Sequence, residues 1–192
     1  MSNVDNVVDQ LQNAISEGNV EDVEKIILTN EIPMNNAGPS LLNFAISCKQ
    51  VQVAKCLIKL GTVNIFSETP LHIASLTGRE DMVKMLIQEG APIDAVNRIG
   101  QTALHVAVVF SHRPTPIVKV LVENGADIDV KDNYGDSALN IAVKLGKNDY
   151  ALYLMRNGAS LKIKDVDGMN ALESALPEPQ MLKHLLYHDH NL

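Results

Sequence analysis

With 192 residues, 46% of them hydrophobic and 20% charged, the chain is long enough to bury a sizeable core as one domain or as an array of small units. Aromatic residues reach only 4% and tryptophan is absent, so the filling must be Leu, Ile, Val, Ala and Met, the material of packed helices. A net charge of −7 argues against nucleic acid as a ligand, two cysteines are too few for a disulfide framework, and no run of about 18 apolar residues offers a membrane span.

At the N-terminus, MSNVDNVVDQLQNAISEGN lacks the basic end and apolar middle of a signal peptide; the expected location is cytoplasmic, with access to the nucleus. Residues 1–35 hold seven acids (Asp5, Asp9, Glu17, Glu21, Asp22, Glu24, Glu31) against Lys25 alone, a face suited to water or to a basic segment of a partner. DQLQNA from Asp9 and SLLNFA from Ser40 are followed by TPLHIA from Thr69, TALHVA from Thr102, SALNIA from Ser137 and NALESA from Asn170. The last four openings are 33, 35 and 33 residues apart, a spacing that marks a repeat architecture. Six copies are expected, approximately 5–36, 37–66, 67–97, 98–132, 133–165 and 166–192, the outer two capping a single domain that spans 1–192.

Each copy reads as helix, turn, helix. Ser, Thr, Asp or Asn at the opening can cap the first helix and Pro70 suits its first turn. The closing alanines Ala14, Ala45, Ala74, Ala107, Ala142 and Ala175 let neighbouring helices approach, and Gly78 and Gly146 end first helices. Second helices such as DMVKMLIQEG and PIVKVLVENG carry an apolar stripe and stop at Gly90, Gly125 and Gly158, with Asn30 and Gly61 at the same position. Cys56 aligns with Met85 and is expected in the core, while Cys48 aligns with Thr77 and is expected nearer the surface.

The pattern resembles the ankyrin repeat, whose T-P-L-H-x-A signature is matched in full by residues 69–74 and, with Ala103 for Pro, by 102–107. The G-A-x-I-D segments at Gly90–Asp94 and Gly125–Asp129 agree. The resemblance implies an all-α solenoid of stacked helix-turn-helix units with short β-hairpin fingers, such as Ile128 to Gly135. It also implies that fingers and first helices form a concave surface that binds another protein. On that surface the expected contacts are Leu76, Arg98, Ile99, Val109, Lys144 and, on one finger, Asn133, Tyr134 and Asp136.

Departures from the repeat add further candidates. The link from Gly61 to Thr69 is short, which truncates a finger and puts Phe66 at its edge, either in contact with a partner or in local packing. Copy four carries extra residues in SHRPTP, 111–116, with Phe110 before the insertion and Arg113 within it as contacts. Copy six ends without a glycine stop and places His184 and His188 one turn apart with His190 beyond, a remote zinc-binding alternative.

His72 and His105 fill a slot that holds Asn43, Asn140 and Glu173 elsewhere. They read as scaffolding, because equivalent residues in a linear stack lie about 10 Å apart and cannot share a metal. DIDVKDNYGD, 127–136, fails as a calcium loop because no glycine falls at the required position. With no nucleophile and base pair, phosphate loop or metal cluster, no enzyme activity, cofactor or metal is expected. The expected function is binding by occupancy, without a separate effector domain, as a monomer or in a 1:1 complex with a signalling or transcription protein. Resemblance favours the ankyrin inhibitors of NF-κB, with a kinase-regulating ankyrin subunit or an inhibitor of cyclin-dependent kinases as the alternative. A D-S-G-x-x-S degradation signal and an acidic, Pro/Ser-rich tail are both missing from the sequence.

Overall fold

Apolar residues recurring at three and four positions give each helix one face to bury, and a left-handed residue after it lets the chain turn back. The computed structural model describes residues 3–30, 34–60, 70–110 and 116–175, with side chains from residue 7 in the first segment and 41 in the second. Among them, α1 (Asn3–Glu17) pairs with α2 (Val20–Thr29), α3 (Met34–Ser47) with α4 (Val51–Lys59), and α5 (Pro70–Leu76) with α6 (Glu80–Gln88). Further along, α7 (Ala103–Phe110) pairs with α8 (Pro116–Glu123) and α9 (Ala138–Lys144) with α10 (Asn148–Arg156), and α11 (Ala171–Ser174) follows. The chain forms two compact units, Met1–Ala91 and Pro92–Leu192.

In the first unit the hairpins stack in register, α1 on α3 on α5 and α2 on α4 on α6. Leu11, Ile15, Leu42, Ile46, Leu57, Leu71, Met82 and Leu86 are fully covered between the layers. In the second unit α9 lies between α7 and α11, around Leu104, Ile117, Leu121 and Leu139. All six closing alanines are buried; a longer side chain at any of them would push its layer off the next. Cys56 is also buried, its Sγ 3.3 Å from Glu24 Oε1, and burial followed by that carboxylate pushes its thiol up to about 11, which leaves it unreactive.

The helix ends follow the sequence signals with three corrections. Asp9 and Ser40 lie inside α1 and α3 instead of opening them; for α1 the apolar series Val4, Val7, Val8 and Leu11 carries the helical stripe upstream of Asp9. Asn30 stands one residue before the glycine position. Its Nδ2 donates to the Ile26 carbonyl, as Asn124 does to Val120 and Asn157 to Tyr153. The expected β-hairpin fingers contain no strand among the described residues; they are turns closed by side chains. Ser137 caps α9, Asn170 and Glu173 form a capping box on α11, and Ala91, Ala126 and Ala159 donate back to Leu86, Leu121 and Leu154 past the glycine stops.

Two hairpin turns also latch to the hairpin before them. Gln50 Nε2 donates to the Ser16 carbonyl at the end of α1, and Lys147 Nζ, in the same slot three repeats later, donates to Val108 and Val109 at the end of α7. The turn position itself is left-handed, with φ 76° at Gly18, 72° at Gly78 and 65° at Gly146, but in the second hairpin it is occupied by Lys49 at φ 66°. A side chain there costs about 1–2 kcal/mol relative to glycine. Lys49→Gly is therefore expected to stabilise the fold by about 1 kcal/mol, measured as a higher urea midpoint, whereas Leu121→Ala should destabilise it by about 2–5 kcal/mol.

Candidate protein-interaction surface

In the second unit three fingers repeat one local device. Asn97, Asp132 and Asp165 each turn a side-chain oxygen onto two backbone N–H groups of their own tip: Ile99 and Gln101, Tyr134 and Asp136, Asp167 and Met169, all at 2.8–3.0 Å. Each tip is closed by two further backbone bonds: Asn97, Asp132 and Asp165 N–H donate to Gln101, Asp136 and Met169, and Gly100, Gly135 and Gly168 N–H donate back to Asn97, Asp132 and Asp165. An acceptor two and four residues before its donors builds a turn without any strand ladder.

The tips are tied side to side. Asn133 N–H donates to the Ile99 carbonyl at 3.0 Å, Asn133 Nδ2 to Arg98 at 3.2 Å, and Val166 N–H to Tyr134 at 2.9 Å. Gly100 makes this approach possible, since a Cβ there would lie 2.7 Å from the Asn133 nitrogen. At the finger bases Asp94 accepts from Asp127 N–H and Asp129 from Ser160 N–H. The aspartates that the sequence presents as finger decoration thus form its frame.

His105 sits under the fingers, 1% exposed. Its Nε2–H donates to the Asp136 carbonyl at 3.1 Å, leaving Nδ1 to accept from the Thr102 hydroxyl and N–H at 2.8 and 3.2 Å. Burial holds its pKa below the ordinary value despite the Asp136 carbonyl and the Asp132 charge. His105 is scaffolding, as expected. Asn140 does the same in the next copy, its Nδ2 donating to Ile163.

One expected contact residue is internal, and a second is bonded to it while staying exposed. Asp136 is buried, and both its oxygens accept from Lys144 Nζ at 2.7 and 2.8 Å; the same ammonium reaches Asp165 at 2.8 Å. For Lys144, burial favours the neutral amine, but Asp136 and then Asp165 outweigh it and raise the pKa, and the Lys144 hydrogen bond lowers that of Asp165. Asp136 therefore points at Lys144 and not outward, since the Asp132 turn aims residue 136 inward. Lys144 keeps an exposed flank, with 36% of its side chain open.

The remaining expected residues stand outside. Ile99, Phe110 and Tyr134 are 43%, 53% and 57% exposed, Arg98 and Asn133 are exposed, and Val109 is half-buried at the end of α7. In the first unit Leu76 is exposed at the end of α5. Phe66, Arg113 and the C-terminal histidines His184, His188 and His190 lie outside the described residues. Sequence reasoning missed Val166, the most exposed large apolar residue of the third tip; it stands 33 residues after Asn133, and counting the period would have found it. Among the described residues no group of three or more His, Cys, Asp or Glu side chains could hold a metal ion, and no helix is long and apolar enough to cross a membrane.

A family model described as ankyrin repeats in three copies matches residues 11–97, 60–132, 91–165 and 112–192. The chain belongs to the ankyrin repeat family, whose members generally bind other proteins. It is similar to the crystal structure of EF0377, an ankyrin repeat protein, at 29% identity and a TM-score of 0.76, covering 93% of this chain and 97% of that one. Over 94 residues it is 34% identical to the glycerophosphocholine phosphodiesterase gde1 of Schizosaccharomyces pombe, covering 45% of this chain and 8% of that protein. Over 85 residues it is 32% identical to the nuclear factor NF-kappa-B p105 subunit of Rattus norvegicus, covering 39% of this chain and 9% of that protein. The match thus spans only a small part of the length of these curated relatives.

A histidine held neutral binds fewer protons folded than unfolded, so its contribution is complete above the ordinary value of 6.5 and is lost as pH falls below it. The urea midpoint is expected to fall between about pH 7 and pH 5, and His105→Asn should remove part of that fall. Equal slopes in the two proteins would show that His105 carries no proton-linked stability.

Proposed function

We propose that the chain works by occupancy, as a stoichiometric inhibitor or non-catalytic regulatory subunit that covers or positions a signalling or transcription protein. The observation that carries this reading is the row Ile99, Tyr134 and Val166, exposed on tips whose backbones are bonded finger to finger, with Phe110 exposed at the end of α7. Apolar and aromatic side chains standing on an already ordered backbone lose little freedom on binding and serve as anchors. His105, Asp136, Lys144 and Asp165 bond one another or the backbone, which supports binding over proton-transfer chemistry.

The likeness to a segment of the p105 subunit supports a transcription protein of the NF-κB class as the occupant. The exposed acids Asp9, Glu17 and Glu21 on the α1–α2 hairpin support a basic segment of that partner as the contact with the first unit. Affinity capture from lysate of the source cells, followed by mass spectrometry and measurement of stoichiometry, is expected to recover a signalling or transcription protein in a 1:1 complex; recovery of chaperones alone would remove the proposal. Tyr134→Ala and Phe110→Ala should each weaken that complex by about 10- to 30-fold with an unchanged melting temperature, because neither side chain is buried.

A further inference from the structure

The charge left available on the finger tips of the second unit points to the chemistry of the occupant, an inference that rests on the binding surface just proposed. All but one of the acids of the tips are engaged within the fold. Asp132 and Asp165 accept backbone N–H groups, and Asp136 and Asp165 share Lys144. At the finger bases Asp94, Asp127 and Asp129 each accept a backbone N–H as well. The bases are not engaged in this way. Arg98, Lys131, Lys162 and Lys164 are all exposed, and none takes part in an ion pair among the described residues.

These cations alternate with the apolar tips. Arg98 adjoins Ile99, Lys131 lies three residues before Tyr134, and Lys164 two before Val166. The bonds from Asn133 to Ile99 and from Val166 to Tyr134 place consecutive tips against one another. Asp167 is the one exposed acid on the tips themselves, against Arg98, Lys131 and Lys164. A partner therefore meets a short row of alternating positive and apolar groups on a chain whose net charge is −7.

We infer that this row binds an extended acidic segment of a partner protein, its carboxylates paired with Arg98, Lys131 and Lys164 and its apolar side chains packed on Ile99, Tyr134 and Val166. Such a segment is repelled by the acidic remainder of the chain, so the cationic row supplies register and steering together. A nucleic acid fits less well, because a few cations interrupted by Asp167 neutralise few phosphates while the whole chain opposes them.

The test uses the full chain and fluorescence anisotropy with four labelled probes: a short peptide alternating Asp and Glu with Leu and Phe, the same peptide with Asn and Gln for the acids, the same with Lys, and a single-stranded oligonucleotide. The acidic peptide is expected to bind about tenfold or more tighter than the other three, and less tightly as salt rises. The double variant Lys131→Glu, Lys164→Glu should lose that preference while melting as the wild type does. Equal binding of the neutral or basic peptide, preference for the oligonucleotide, or no binding of the acidic peptide overturns the inference. The captured partner separates the two readings. If it is lost by Tyr134→Ala but kept by the charge-reversed protein, the surface stands and the acidic segment falls; if both variants keep it, both readings fall.

Discussion

No hairpin in this chain can bury its own apolar face, and the rest of the structure follows from that constraint. Short helices such as α5, α9 and α10, of seven to nine residues, leave one side of each open, so the neighbouring hairpin must supply the cover. The demand falls on a few positions. Small alanines admit the next layer, Leu42, Leu71, Leu104 and Leu139 fill it, and the latches made by Gln50 and Lys147 fasten one turn to the carbonyls of the helix before it. Stacking also sets the dimension along which anything can bind, since polar groups from different copies are spaced by a helix width instead of converging on one point.

The same constraint explains why so many charged residues of the fingers are internal. A finger crosses from one hairpin to the next with few residues and no strand partner, so its backbone N–H groups need acceptors. Carboxylates and an asparagine provide them from within, at Asn97, Asp132 and Asp165, and Lys144 offsets the charge this concentrates around Asp136 and Asp165. The acids are thereby withdrawn from the surface while the lysines and Arg98 remain on it. The exposed charges at the tips are thus mostly cationic on a chain whose net charge is −7.

The helices were legible because their signals are local and repeated: periodic apolar residues, a capping side chain, a glycine stop. His105 was legible as scaffold for a related reason, since Asn140 and Glu173 in the same slot could serve a structural hydrogen bond but not one chemistry. Asp136 was misread because an aspartate on a loop looks solvent-facing until the Asp132 turn is known to aim residue 136 inward, onto Lys144. Val166 was missed because a lone valine in a polar stretch carries no signal of its own. Lys49 shows the converse: the alignment with Gly78 was visible, but only the positive φ reveals the strain it carries.

Comparing the three fingers with one another separates frame from reader. Asn or Asp at 97, 132 and 165 and Gly at 100, 135 and 168 recur, and each has a structural task, the first as acceptor and the second as the left-handed residue that closes the turn. Between them stand Arg98 and Ile99, Asn133 and Tyr134, Val166 and Asp167, which share neither size nor charge. A pair of positions that varies between invariant neighbours, on a backbone held in one conformation, can change its chemistry without changing the fold. In the binding reading proposed above, selectivity rests on those six side chains and the lysines beside them, and the fingers act as their mounts.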